Sequence, residues 1–340
     1  MPQWYAQHFT KLLKIASPLA KETIIGSWAR RGSNVKQVRE SVRLMGTIID
    51  LIMEHEAPTA IMEEVIHRLK EYERRFNAND PTSELMVINN NAGIKPVSVH
   101  PQLYELIKIG KYHSCDSSSH LNIAIGPLVQ SWRIGFSDAK VPKPEEIDAL
   151  LQITDPRNIL LDDKQQTVYL KETGMAIDLG SLAKGYIADL VIDYLKSMKV
   201  ASALINLGGN IVGLGPSYES GREYWNIGIQ NPMLPRQQHL AMLKIMNQSV
   251  VTSGVYERTL KDEGETYHHI LDPHTGYPIT TDVVSLTIRS NQSLDGEIWT
   301  TRLFGKSADE IIQTLNQLEG IEGLVITKDE QIHYSHHMFT

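Results

Sequence analysis

The chain has 340 residues, 41% of them apolar and 21% charged, and a formal net charge of −7. That length suits one large or two closely packed globular domains, and the acidic balance excludes nucleic acid as a partner recruited by overall charge. Cys115 is the only cysteine, which excludes an intramolecular disulfide and any multi-thiolate metal site.

The charge is unevenly spread. Residues 1–43 carry eight Lys/Arg against Glu22 and Glu40. This segment is expected to form a basic helical extension packed on the body formed by residues 44–340, its charges solvated; a docking arm for an acidic partner or lipid surface is the other reading. Lys11, Lys14 and Lys21 interrupt its apolar residues before any run reaches signal-peptide length. No stretch approaches the roughly 20 apolar residues of a membrane span, so a cytoplasmic protein is expected.

Met45–Met53 predicts a buried strand, followed by a helix with Pro58 near its start and Ile61, Val65, Leu69, Tyr72 and Phe76 on one face. A second helix opens at Pro101 and aligns Leu103, Leu106 and Ile107. Strands are expected at Thr167–Leu170 and Met175–Leu179, a helix over Ser181–Met198 and a strand at Ala201–Leu207. Val250–Ser253, Tyr267–Leu271 and Val283–Arg289 follow as strands, and a helix is expected to start at Glu297. The last helix has the capping-box pair Ser307 and Glu310, before a terminal hairpin at Gly323–Thr327 and Gln331–Tyr334. The mixture lacks a strict βαβ rhythm, which favours α+β.

Four segments can carry chemistry. From Ile177 the chain reads Ile-Asp-Leu-Gly-Ser-Leu-Ala-Lys-Gly, a strand turning into a helix with Lys184 in its first turn. Free N–H groups and a lysine at a helix start favour phosphate oxygens, and Asp178 could accept hydrogen bonds from a ring or ribose. Asn206-Leu-Gly-Gly-Asn210 lets the backbone pass close to a neighbouring strand or a ligand, without the spacing of a dinucleotide fingerprint. His269, ahead of the Asp272-Pro turn, could accept a proton near neutral pH, while the adjacent His268 faces the other way on a strand. Glu297 and Thr301 stand at i and i+4, offering hard oxygens that suit Mg²⁺.

Each segment alone is unspecific, but their order is informative. Met45-Gly46-Thr47, Phe76-x-x-Asn79, Ser83-Glu84, Gly126-Pro-Leu-Val129, Asp178-Leu-Gly-Ser-x-Ala-Lys184-Gly-Tyr, Asn206-Leu-Gly-Gly-Asn210, Thr252-Ser-Gly254, Tyr256-Glu-Arg258 and His269-Ile-x-Asp-Pro-x-Thr-Gly276 occur in succession. This series resembles the ApbE family of FAD:protein FMN transferases, from about residue 44 to the C-terminus. The resemblance implies an α+β, T-fold-like architecture with mixed or antiparallel sheets and packed helices, and FAD in a cleft between its lobes. It implies that Met45, Asn79, His120, Leu121, Asn122, Asp178, Lys184 and the backbone at Ile270 contact FAD. Mg²⁺ would be held by Ser181, Thr301, Thr300 and the acidic residue four before Thr301. That position is Glu297 where the family has aspartate, and Asp295 is a second candidate. Asn122 replaces a common aspartate and His268 a frequent serine.

The activity so implied is Mg²⁺-dependent transfer of FMN from FAD to a Thr or Ser hydroxyl of an acceptor flavoprotein, releasing AMP, with His269 as the base. An FAD pyrophosphatase and a non-catalytic flavin-binding protein are the alternatives.

Overall fold

The computed structural model describes residues 35–217, 222–235 and 238–340. It begins with a hairpin of β1 (Lys36–Leu44) and β2 (Thr47–His55). The turn is Met45-Gly46, both at positive φ (53° and 70°), the conformation whose twist matches that of the flanking strands. The expected strand at Met45–Met53 is therefore β2, with its first two residues in the turn. Residues 36–43, expected as part of a helical extension, instead form an outer strand; the rest of that extension lies outside the described residues. The residues of β1 are mostly exposed and those of β2 alternate, the pattern of an edge and its neighbour.

Helix α1 (Pro58–Phe76) starts with proline and buries the predicted face of Ile61, Val65, Leu69, Tyr72 and Phe76. Then come α2 (Glu84–Asn89), capped by Ser83, β3 (Val97–Ser98), α3 (Pro101–Ser114), α4 (Gly126–Trp132) and α5 (Pro144–Leu151). Strands β4 (Ile159–Asp162) and β5 (Thr167–Leu170) join β3 in a small sheet. The predicted strand at Met175–Leu179 is absent. Asn89 takes the place of a neighbouring strand: its amide accepts from Ile177 N (2.8 Å) and donates to Ile177 O (3.0 Å).

After α6 (Ala183–Ser197) come β6 (Ser202–Leu207), β7 (Asn210–Leu214), β8 (Trp225–Gln230), β9 (His239–Ile245), β10 (Gln248–Gly254), β11 (Thr259–Asp262), β12 (Glu265–His268) and β13 (Val283–Ser290). The chain closes with α7 (Ser293–Leu303), α8 (Ala308–Leu315), β14 (Glu322–Thr327) and β15 (Ile332–Tyr334). Among the described residues the main sheet has eight strands in the order β1-β2-β6-β7-β10-β13-β14-β15, every pair antiparallel. This is the expected α+β architecture.

All eight residues of β13 are buried, because both faces of the sheet are covered. One side carries the largest core, built from β2, β6, α1, α3 and α6, and a neighbouring cluster under α7 and α8. The β8–β9 hairpin packs with Val250, Leu324 and Ile326 in a separate core. Among the described residues no helix is long and apolar enough to cross a membrane.

Two contacts place the later site. Gly185 lets α6 lie on α7 so closely that a Cβ there would come within 2.6 Å of Ser293 O and 2.7 Å of Glu297 Cγ. Asp189, one turn on, accepts from Ser293 N (2.8 Å) and Leu294 N (2.9 Å), so α6 supplies the cap that α7 lacks from its own N-terminal side chains. Gly185→Ala should therefore push the helices apart and destabilise the fold by about 1–3 kcal/mol, the usual scale of overpacking, read as a lowered urea midpoint at unchanged slope.

Candidate active site

The first turn of α6 meets the second turn of α7. Lys184 Nζ lies 3.0 Å from Glu297 Oε1, and Asn210 Nδ2, from the start of β7, donates to the same oxygen at 3.0 Å. Glu297 is 4% exposed and Asn210 2%, so both sit where a polar group requires partners. Asn210 Oδ1 in turn accepts from Ser293 Oγ. All hydrogen bonds to the Glu297 carboxylate fall on Oε1; Oε2 receives none from the described residues. Helix α7 begins four residues before the predicted Glu297, so this carboxylate stands inside the helix rather than at its start.

Lys184 commits one N–H to Glu297, and an ammonium carries three. No side chain caps α6. The N–H groups of Leu182 and Ala183 are taken by Leu179 O (2.9 and 2.8 Å), so what the start of α6 offers an anion is the positive end of the helix dipole together with Lys184. Thr301, one turn beyond Glu297, is half-buried, as is Ser181 ahead of α6. Thr300 is fully buried and donates its hydroxyl to Glu297 O at 3.1 Å. Asp295 lies on the Asp189 side: burial, and to a lesser extent the charge of Asp295, push the Asp189 carboxyl up to about 6; Glu297, not Asp295, meets Lys184.

Arg258 packs against two glycines. Its Cδ packs where a Cβ on Gly135 would be 2.8 Å away, and its Nη2 lies 3.9 Å from the same point on Gly46, beside Met45. Arg258 acts electrostatically on both Asp178 and His269. Burial pushes the Asp178 carboxyl up, opposed by Gly180 N–H (2.7 Å) and Arg258. Burial, then the positive charge of Arg258, lowers the His269 imidazole to about 4, with Lys184 adding to the effect. The two histidines differ sharply. His268 has both ring nitrogens engaged, with Ile279 O (3.0 Å) and Ile270 N (3.3 Å), whereas His269 Nδ1 is buried with no partner among the described residues. His268 holds the loop, and His269 is left for other use.

The loop itself is fixed from α4. Trp132 Nε1 donates to Gly276 O at 2.8 Å, and Trp132 packs with Ile147 and Leu271. Ile270 O accepts from Ile279 N (2.9 Å), so both backbone groups of Ile270 are already engaged.

The other expected contacts are more dispersed. Met45 sits in the hairpin turn, its N–H on Glu73 Oε1 (2.6 Å). Asn79 is exposed and accepts from Gln130 of α4 (3.2 Å). His120 stands edge-on to His274 at 6.0 Å, its Nδ1 buried without a partner. The Leu121 side chain is 0% exposed, which leaves only backbone to line a cleft. Asn122 donates to Thr154 O and accepts from Ala124 N, each at 2.8 Å. Its amide is used as a donor, which an ionised aspartate could not be. Arg258, Asn210 and Asp189 were not singled out from sequence, although the first two fall inside quoted motifs; only the tertiary contacts separate them from their neighbours. A separate groove of about 570 Å³, lined by Lys108, Lys111, Cys115, Asp116 and Arg302 among others, opens on a different face of α7 from Glu297.

Residues 45–325 match the model of the ApbE family. The chain is 42% identical to the FAD:protein FMN transferase of Klebsiella pneumoniae (strain 342) over 292 residues, 86% of this chain and 90% of that one. It is 33% identical to the FAD:protein FMN transferase of Treponema pallidum (strain Nichols), covering 92% and 90% of the two chains. The crystal structure of the ApbE protein of Thermotoga maritima superposes with a TM-score of 0.81 at 27% identity, across 90% of this chain and all of the other.

His269 also predicts a pH effect on stability. With the folded-state imidazole lowered to about 4 from an unfolded value near 6.5, the unfolded chain binds the extra proton between these limits. The contribution is complete above pH 6.5 and lost as pH falls towards 4. His269→Gln should flatten the acid-side fall of Tm across that window; a parallel curve would contradict the assignment.

Proposed function

The chain belongs to the ApbE family, and from that membership we propose that it transfers the FMN half of FAD to a threonine or serine hydroxyl of an acceptor protein, releasing AMP. What supports this reading is the junction of Lys184, Glu297 and Asn210 at a helix start without a side-chain cap, together with His269, which is neutral at pH 7 and whose Nδ1 is buried without a partner among the described residues.

Mg²⁺ fits the donor set. Among the described residues no three His, Cys, Asp or Glu side chains form a metal cluster. A single carboxylate with one oxygen free of hydrogen bonds, together with Ser181 and Thr301 hydroxyls, matches a cation that keeps water and substrate phosphate oxygens as its other ligands. Glu297, Ser181 and Thr301 would hold it, with Thr300 confined to bracing the Glu297 turn. When bound, the cation neutralises charge on the diphosphate and on the leaving phosphate.

The chain's own residues do the rest. Lys184 and the start of α6 bind the diphosphate and draw its negative charge away from an incoming oxygen. Asp178 and the Met45 turn, both near Arg258, would contact the remainder of FAD. His269 accepts the proton of the acceptor hydroxyl as its oxygen bonds to the FMN-side phosphorus. The bond from that phosphorus to the bridging oxygen then breaks, and AMP departs with the electron pair. An imidazole near 4 is neutral at pH 7 but a weak base. Burial, the main cause of that weakness, stays when the substrate is in place, while the dianionic diphosphate offsets the smaller effects of Arg258 and Lys184 and so raises the basicity in part. The cytoplasm is the proposed setting, which suits the exposed, unpaired thiol of Cys115.

The test is incubation with FAD, Mg²⁺ and a candidate acceptor, followed by intact mass of the acceptor. A gain of one FMN residue is expected; free FMN without that gain would point to hydrolysis, with water in the acceptor's place. His269→Ala should lower the transfer rate by roughly 10²–10⁴-fold, the usual scale for a proton acceptor, with FAD affinity nearly unchanged. Equal loss of both would assign His269 to structure.

A further inference from the structure

We propose that Asn210 is a positioning residue that aims the Glu297 carboxylate at the cation, leaving Oε2 free by holding Oε1. The inference rests on Glu297 being the acidic ligand, as argued above.

Glu297 has more freedom than a shorter acid would, and three contacts remove it. Its Cγ lies against the bare backbone of Gly185, where a Cβ would stand 2.7 Å away. Lys184 Nζ and Asn210 Nδ2 then both take Oε1, each at 3.0 Å. Lys184 is a flexible, 30% exposed cation that also has to serve the diphosphate. Asn210 is different: it is 2% exposed and rigidly placed as the first residue of β7. Its amide orientation is fixed as well, because Ser293 Oγ donates to Oδ1 and leaves the NH₂ facing Glu297. Ser293 is itself anchored by Asp189 through its backbone N–H (2.8 Å). A chain of four residues thus runs from Asp189 on α6 through Ser293 at the start of α7 to Asn210 at the first position of β7 and back to Glu297.

The chemistry follows from the donor count. A carboxylate oxygen that accepts no hydrogen bond keeps both of its lone pairs for a cation, and a carboxylate with no partner at all would be free to rotate out of reach. Loading both donors onto Oε1 fixes the plane and reserves the other oxygen. Partners of this kind, bound to a ligand rather than to the metal, typically change metal affinity by roughly 10- to 100-fold when removed.

The experiment titrates Mn²⁺ into the FAD-saturated protein and reads free Mn²⁺ by electron paramagnetic resonance, with Tm and metal-free FAD affinity measured alongside. Asn210→Ala should weaken Mn²⁺ binding by roughly 10- to 100-fold while metal-free FAD affinity stays near that of the unaltered chain. Its transfer rate should recover at high Mg²⁺, since the ligand itself remains. Glu297→Gln should lose Mn²⁺ binding without such recovery. Ser293→Ala, which frees the amide to turn, should give a smaller loss in the same direction, and it carries the test should Asn210→Ala fail to fold. Unchanged Mn²⁺ affinity in Asn210→Ala and Ser293→Ala, with loss in Glu297→Gln, would overturn the positioning role and leave the ligand assignment standing. Unchanged affinity in Glu297→Gln would overturn the ligand assignment, and with it this inference.

Discussion

A nearly buried carboxylate inside a helix is the constraint on which this site depends. Removing an ionised group from water costs several kcal/mol even after relaxation, unless charge and hydrogen bonds meet it. Glu297 is met by Lys184 and by Asn210 on one oxygen. That leaves the carboxylate stable enough to be kept and incompletely satisfied, which is the condition of a cation ligand. The half-exposed Lys184 keeps donors for an anion. On the proposed function, this one ion pair would offer a place for a metal and a place for a phosphate side by side.

The fold exists around this pair in a specific sense. Two helices can bring a lysine and a glutamate together only if their backbones approach closely, and Gly185 permits that approach. Asp189 then ties the first residues of α7 to α6, so the pair sits in a rigid corner and not on a loop. The sheet contributes the third member, because the Gly208-Gly209 turn returns the chain to pair β7 with β6 and puts Asn210 at its first position. His269 comes from a different cluster, with its loop braced by Trp132. His269 and the ion pair are thus carried by separate packing units, and the charges of both Arg258 and Lys184 act on His269.

Much of this was legible in the sequence, for identifiable reasons. The amphipathic face of α1, the capping box of α8 and the hairpin of β14 and β15 are local patterns, and local patterns survive without tertiary information. Lys184 and Glu297 were legible as chemistry, although their 3.0 Å contact was not. Met175–Leu179 reads as a strand by composition, yet its hydrogen bonds go to Asn89 and Ile123, which no periodicity reveals. Residues 36–43 were read by their charge, but an edge strand tolerates charges on its exposed positions as readily as a helix does. Asn210 and Arg258 were visible as letters in motifs. What they do depends on strand register and on glycine-lined walls, and both are properties of the assembled fold.

The most direct measurement is the anomalous scattering of Mn²⁺ in crystals of the protein grown with FAD. The account predicts one peak within bonding distance of Glu297 Oε2, flanked by the Ser181 and Thr301 hydroxyls, with diphosphate oxygens between it and Lys184. A peak displaced from Glu297, or a diphosphate bound away from Lys184, would contradict it.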